Sequence, residues 1–156
     1  MGGDFGPRAT VSALLESLSH HSNVNALLFG DRDELAIHLR NCNDSSILAR
    51  IEVCHSDCSV TNTDKPSAVI RTKRDSSMGL ALQALANNEA DAFVSAGNTG
   101  AIMALGLYFV KSLPGISRPA ICTAIPTSSG SSYVLDLGAN LDCSAEQLYQ
   151  FALLGS

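Results

Sequence analysis

The sequence predicts an α/β fold, a three-layer αβα arrangement with helices on both faces of a mostly parallel sheet. Three observations predict it. Apolar runs of strand length alternate with longer runs of helical periodicity along the chain. Polar, glycine-bearing stretches sit between the strands and the helices, at "MGGD", "SAGNTGA" and "DLGANLD", where parallel sheets gather their ligands. The chain has 156 residues, 46% hydrophobic and 16% charged, which suits one compact globular domain.

The elements follow in order. Residues from about Pro7 to His20 form a helix with Val11, Leu14, Leu15 and Leu18 on one side, and Pro7 fits a first helical turn. "VNALLFG" is a strand, and "DRDELAIHLRN" a helix that starts from Asp31 and carries Leu35, Ile37 and Leu39. "ARIEVCH" is the next strand. After the polar loop "SDCSVTNTDKP" a short helical run reaches Arg74, and "SSMGLALQALANN" starts a second helix at Ser76 or Ser77. "DAFVSA" has the length and content of a buried strand, and a helix runs from Asn98 to about Leu113 with Ala101, Ile102, Leu105 and Phe109 at helical spacing. "PAICTAIP" and "SYVLDLG" are strands too close together for a crossover, so they form a hairpin. "SAEQLYQFALLG" is the last helix.

Both ends read as cut. "MGGDFGP" has the composition of a strand-to-helix loop with no strand ahead of it, and "QLYQFALLGS" stops at an apolar helix whose face needs covering. Residues 1–156 are therefore expected to be part of one larger α/β domain.

Charge and cysteines narrow the class. A formal net charge of −5 argues against general affinity for nucleic acid, which needs a basic face. Lys65, Arg71, Lys73 and Arg74 nevertheless place four of the ten basic residues within one short run. Five cysteines, with no C-x-x-C pair, argue for reduced thiols and against a disulfide framework. In "CHSDC", strand alternation puts Cys54 and Cys58 on one face and His55 and Asp57 on the other, which spoils a four-ligand zinc cluster. No apolar run reaches membrane-spanning length and "MGGDFGPRAT" lacks the regions of a signal peptide, so a cytoplasmic protein is expected.

The loops carry the chemistry. In "SAGNTGA" the glycines let a ligand approach the backbone, and the following helix offers unpaired N–H groups and the positive end of its dipole. That outlines an anion pocket built from Ser95, Gly97, Asn98, Thr99 and Gly100. The Walker pattern, the G-x-G-x-x-G fingerprint, the G-x-S-x-G elbow and H-E-x-x-H are all absent. What remains is anion binding by amides and small hydroxyls, which suits phosphate chemistry that works by positioning.

Six stretches, "MGGDFGP", "PSAVIRTKRDSSM", "SAGNTGA", "GISRPA", "VLDLGANLDC" and "QFALLGS", occur in an order and at spacings that resemble the PlsX family of bacterial phosphate acyltransferases, its proteobacterial members above all. The resemblance spans the chain and matches the N-terminal half of such enzymes. It implies a fold similar to isocitrate dehydrogenases and phosphotransacetylases, truncated here at both ends. It also implies transfer of a fatty acyl group from acyl carrier protein to inorganic phosphate, the acyl phosphate then serving the membrane acyltransferase PlsY in phospholipid synthesis. A cytoplasmic homodimer loosely held at the inner face of the membrane is implied as well, with no metal or organic cofactor. The site residues it implies are Gly2, Gly3 and Asp4; Arg71, Arg74, Ser76 and Ser77; Ser95, Gly97, Asn98, Thr99 and Gly100; and Asp136, Gly138, Asn140 and Asp142. No catalytic base is named by it. Phosphate is expected on Asn98, Thr99 and Gly100 with charge from Arg71 or Arg74, while Lys73 is expected to meet the acidic carrier. Two alternatives stay open on the residues alone: a phosphotransacetylase-like enzyme using acyl coenzyme A, and a non-catalytic anion-binding, lipid-regulatory module.

Overall fold

The computed structural model of the chain describes residues 2–138, 140 and 142–156. Its elements are α1 (Gly6–His20), β1 (Ala26–Gly30), α2 (Arg32–Leu39), α3 (Ser45–Leu48), β2 (Ile51–His55), α4 (Pro66–Thr72), α5 (Ser77–Ala86), α6 (Thr99–Phe109), β3 (Cys122–Thr127), β4 (Gly130–Leu135) and α7 (Ala145–Leu154). They divide into two compact units, Met1–Val110 and Lys111–Ser156.

In the first unit β1 and β2 run parallel, in a register that sets Ala26 opposite Ile51 and Gly30 opposite His55. A parallel pair needs a crossover, which α2 and α3 supply. Asp31 starts α2 because its carboxylate accepts the Glu34 amide at 2.8 Å, as a cap should. Val11 of α1, Leu28 of β1 and Leu35 of α2 meet in one buried cluster, flanked by Leu14, Leu15 and Leu39. A second cluster joins the later helices through Val60, Val69, Met78, Leu82, Ala101 and Leu105. This second core fixes α4, α5 and α6 together, and so fixes the loops at their ends.

In the second unit β3 and β4 form the antiparallel hairpin expected from "PAICTAIP" and "SYVLDLG", with Thr127 opposite Gly130 at its tip. Helix α7 opens with a capping box in which Ser144 and Gln147 satisfy each other's amides. Its buried Gln150 accepts from both the amide and the hydroxyl of Ser117 at 2.8 Å.

The chain is thus α/β, with parallel pairing where helices intervene and antiparallel pairing where they do not. Three local expectations differ from the structure. Residues 92–96 of "DAFVSA" take no regular secondary structure and Val94 is 94% exposed. A strand exists only through its ladder, and among the described residues β1 forms its ladder with β2 alone. The run before Ser76 leaves the helix at Thr72 instead of reaching Arg74. The helix expected to reach Leu113 ends at Phe109, since Lys111 adopts a left-handed φ of 71°. Of the apolar residues that α2 carries, Leu35 is buried and Ile37 is 59% exposed. One short helix was not legible at all: α3 is held by Asp44, whose carboxylate accepts the amides of Ser46 and Ile47.

Candidate functional site

The start of α6 carries the "SAGNTGA" loop, and Asn98 organises it. The Asn98 carboxamide oxygen accepts the Ala101 amide at 3.0 Å, and its backbone carbonyl accepts the Ile102 amide at 3.0 Å. Helix geometry gives the Thr99 and Gly100 amides no partner within α6, so these two N–H groups open from the positive end of the helix. Thr99 adds an exposed hydroxyl beside them. Gly100 is needed for close approach: a Cβ there would lie 2.8 Å from Cγ of Pro66, which opens α4.

The Asn98 nitrogen points the other way. It donates to the carbonyls of Thr61, Asn62 and Asp64 at 3.1, 3.3 and 3.0 Å. One side chain therefore caps α6 and grips the loop that precedes α4. The same loop reaches the first motif, where Asn62 donates to the Asp4 carboxylate at 3.0 Å. "MGGD" and "SAGN" also touch directly, for a Cβ on Gly2 would lie 3.3 Å from the Gly97 Cα. Gly3, at a φ of 85°, faces the Ala96 carbonyl at a distance that leaves no room for a side chain. The exposed Ser95 hydroxyl accepts the Gly97 amide at 3.1 Å. Gly2, Gly3, Asp4, Ser95, Gly97, Asn98, Thr99 and Gly100 thus belong to one constellation, with the 61–64 loop as its third wall.

The 61–64 loop was not singled out in the sequence. Asp64 closes it by accepting the Thr61 amide at 2.7 Å and the Lys73 ammonium at 2.6 Å. Lys73 also donates to the Ser59 carbonyl at 3.0 Å. Lys73 donation, then the Thr61 amide, hold the Asp64 carboxyl below its ordinary 3.8. Lys73 is consequently held by Asp64 and the Ser59 carbonyl and is only 26% exposed. Lys73 lies nine positions after Asp64, a spacing that no helical pairing rule flags.

The other basic residues lie elsewhere. Arg71 is exposed in the last turn of α4, the end opposite Pro66. Arg74 donates to the Tyr108 hydroxyl at 2.7 Å, with its guanidinium 5.4 Å from the ring centroid. Tyr108 follows Thr99 by nine residues in one helix, about 14 Å along the axis. The structure therefore holds Arg74 at the far end of α6 from the open amides. Ser76 is fully buried and accepts the Gly79 amide as the cap of α5, while the amide of Ser77 binds the Cys58 carbonyl at 2.9 Å. Both serines anchor the turn between α4 and α5.

The fourth motif lies in the second unit, where Asp136 is its hub. One carboxylate oxygen accepts the Ile121 amide at 2.9 Å, and the other accepts the backbone and side-chain amides of Asn140, each at 2.8 Å. Arg118 reaches Asn140 at 3.4 Å, Gly138 turns the chain at a φ of 79°, and Asp142 is exposed. Met1, Ala139 and Leu141, which fall inside the sequence motifs, lie outside the described residues.

At the ends of β1 and β2, ligand-capable atoms of Asp31, His55 and Asp57 gather within 4.8 Å. The His55 Nδ1 accepts the Arg32 amide at 3.2 Å, which puts the ring proton on Nε2, 2.9 Å from Asp57. A metal on Nε2 would need that proton moved to Nδ1, against the Arg32 N–H. The chemistry of this donor set favours the hydrogen-bonded state.

The chain is similar to known proteins along its whole length. Phosphate acyltransferase from Vibrio campbellii is 46% identical over 157 residues, covering 100% of this chain and 46% of that protein. Phosphate acyltransferase from Saccharophagus degradans is 50% identical over 155 residues, covering 99% of this chain and 45% of that protein. That from Shewanella baltica is 45% identical over 157 residues. The chain spans about half the length of the curated relatives it matches. The family model described as fatty acid synthesis protein matches residues 1–156 from end to end, and the chain belongs to that family.

Proposed function

We propose that this chain carries the phosphate-binding part of an acyltransferase that moves a fatty acyl group from acyl carrier protein to inorganic phosphate for phospholipid synthesis. The observation that carries the reading is the open start of α6, where the Thr99 and Gly100 amides and the Thr99 hydroxyl face outward while Asn98 is fully engaged in holding them. Backbone amides at a helix start are fixed donors, so they bind a phosphate dianion without reorganising. A phosphate oxygen would then attack the thioester carbonyl. The C–S bond breaks, a C–O bond to phosphorus-bound oxygen forms, and the phosphate proton passes to the departing carrier thiolate.

Relatives of the same family are named phosphate acyltransferase, which supports this class of reaction over a bare anion-binding role. The exposed Arg71 is the basic group suited to an acidic carrier, with Arg74 adding charge beside it. Asp136, Gly138, Asn140 and Asp142 would serve the same enzyme through their own loop. The parallel β1–β2 pair would form part of a larger sheet in a three-layer αβα fold of the isocitrate dehydrogenase and phosphotransacetylase type. Among the described residues no helix is long and apolar enough to cross a membrane. The enzyme would act as a cytoplasmic homodimer loosely held at the inner face of the membrane, handing acyl phosphate to PlsY. Titrating the 15N-labelled chain with inorganic phosphate tests the site. Saturable shifts of the Thr99 and Gly100 amides are expected, and unmoved amides would remove the reading.

A further inference from the structure

We propose that Lys73 is the counter-charge that lets the α6 site accept an anion, by neutralising Asp64 in the wall of that site. This rests on the phosphate reading above. The Asp64 carbonyl is 3.0 Å from the Asn98 side-chain nitrogen, and the opposite atom of that carboxamide caps α6. The Asp64 carboxylate thus stands within about one Debye length of the open amides, where its charge opposes any phosphate that binds them. Its own fixed work is mechanical: it accepts the Thr61 amide at 2.7 Å and so shapes the carbonyl row that Asn98 grips. The loop needs an acceptor there, while the site needs that acceptor uncharged in effect. Lys73 supplies both conditions, since its ammonium is 2.6 Å from Asp64 and also tied to the Ser59 carbonyl at 3.0 Å. Both side chains are about three-quarters enclosed, at 26% and 24% exposure, so solvent screens the pair less than a surface contact. Lys73 is therefore a positioning residue that acts on phosphate through Asp64.

The signs of the mutational effects distinguish this role from a structural one. Lys73→Met leaves Asp64 unbalanced and should weaken inorganic phosphate binding by about three- to tenfold. Asp64→Asn keeps an oxygen for the Thr61 amide and removes the charge, so phosphate should bind as tightly as in the parent chain or more tightly. The double variant should return to parental affinity, and Lys73→Arg should retain it. Amide shifts of Thr99 and Gly100 during phosphate titration provide the readout in all four variants, with the melting temperature recorded alongside. Weakened binding in Asp64→Asn, or a double variant no better than Lys73→Met, would overturn the proposal and leave the pair a loop fastening. A parent chain whose amides ignore phosphate would overturn the phosphate reading itself, which the parental titration separates from failure of the variants.

Discussion

The guanidinium of Arg74 rests against Tyr108, donating to its hydroxyl at 2.7 Å near the C-terminal end of α6. This contact fastens the turn between α4 and α5 to a helix whose other end holds the candidate anion site. It also keeps the guanidinium at the far end of α6 from that site. Arg74→Ala should leave the phosphate-induced shifts of Thr99 and Gly100 unchanged within about twofold while lowering stability by about 0.5–1 kcal/mol, the worth of an exposed cation–aromatic contact. Phosphate titration and thermal melts check the two halves, and a large loss of phosphate affinity would return Arg74 to the site.

A second prediction concerns the seam at which Arg74 meets α5. A Cβ on Gly79 would overlap the Arg74 carbonyl oxygen and lie 2.8 Å from its carbonyl carbon. Helix propensity favours alanine over glycine by about 1 kcal/mol. Here the opposing atoms are backbone and cannot rotate away, so overpacking of about 1–3 kcal/mol should win. Gly79→Ala is expected to lower the denaturation midpoint, and a stabilised variant would show that the turn yields.

Most helices were legible because their caps and spacing are local. Asp31, Asn98 and Ser144 stand where the pattern predicts and bond the amides that caps should bond. The hairpin was legible because too few residues separate its strands for any crossover. Non-local bonds were not legible. "DAFVSA" has strand composition, yet a strand depends on neighbours that composition cannot name. At the site, glycines and Asn98 advertised the helix start, whereas the wall of residues 61–64 reads only as a polar loop until Asn98 and Lys73 are seen to hold it. The Asp64 partner of Lys73 was hidden for the same reason, as a basic residue in a basic run looks solvated until its partner is found.

Acid should unfold the chain partly through two carboxylates. Asp44 is held below its ordinary 3.8 first by the Ser46 hydroxyl and then by the Ser46 amide, and Asp64 chiefly by Lys73. A carboxyl whose folded value lies below its unfolded value contributes stability that is fully present above the unfolded value and lost as pH falls through the folded one. The loss should therefore fall below pH 3.8 for both groups. Lys73→Met should shrink the Asp64 contribution at neutral pH, and its melting temperature should converge on the parental value as both are acidified below that point. Asp44, out of reach of the substitution, serves as the internal comparison; 13C titration of both carboxyls measures the shifts directly.

The sharpest prediction reverses an ordinary preference at Asn98. At a helix start aspartate normally caps as well as asparagine, and its charge also suits the helix dipole. In this chain only one end of the carboxamide caps α6; the other donates to the Thr61, Asn62 and Asp64 carbonyls. Asn98→Asp keeps the acceptor for Ala101 but turns an oxygen toward three carbonyl oxygens, with no hydrogen to share. Asn98→Ser keeps a cap and simply withdraws from the carbonyls, leaving space that water can enter. Stability should rank parent, then serine, then aspartate, with the serine variant down by about 1–2 kcal/mol and the aspartate variant below it. Phosphate affinity should fall most in the aspartate variant, because it also adds a negative charge beside the Thr99 and Gly100 amides. Chemical denaturation of the three chains in parallel decides it: an aspartate variant as stable as the parent would mean that Asn98 is only a cap and that the 61–64 loop is held without it.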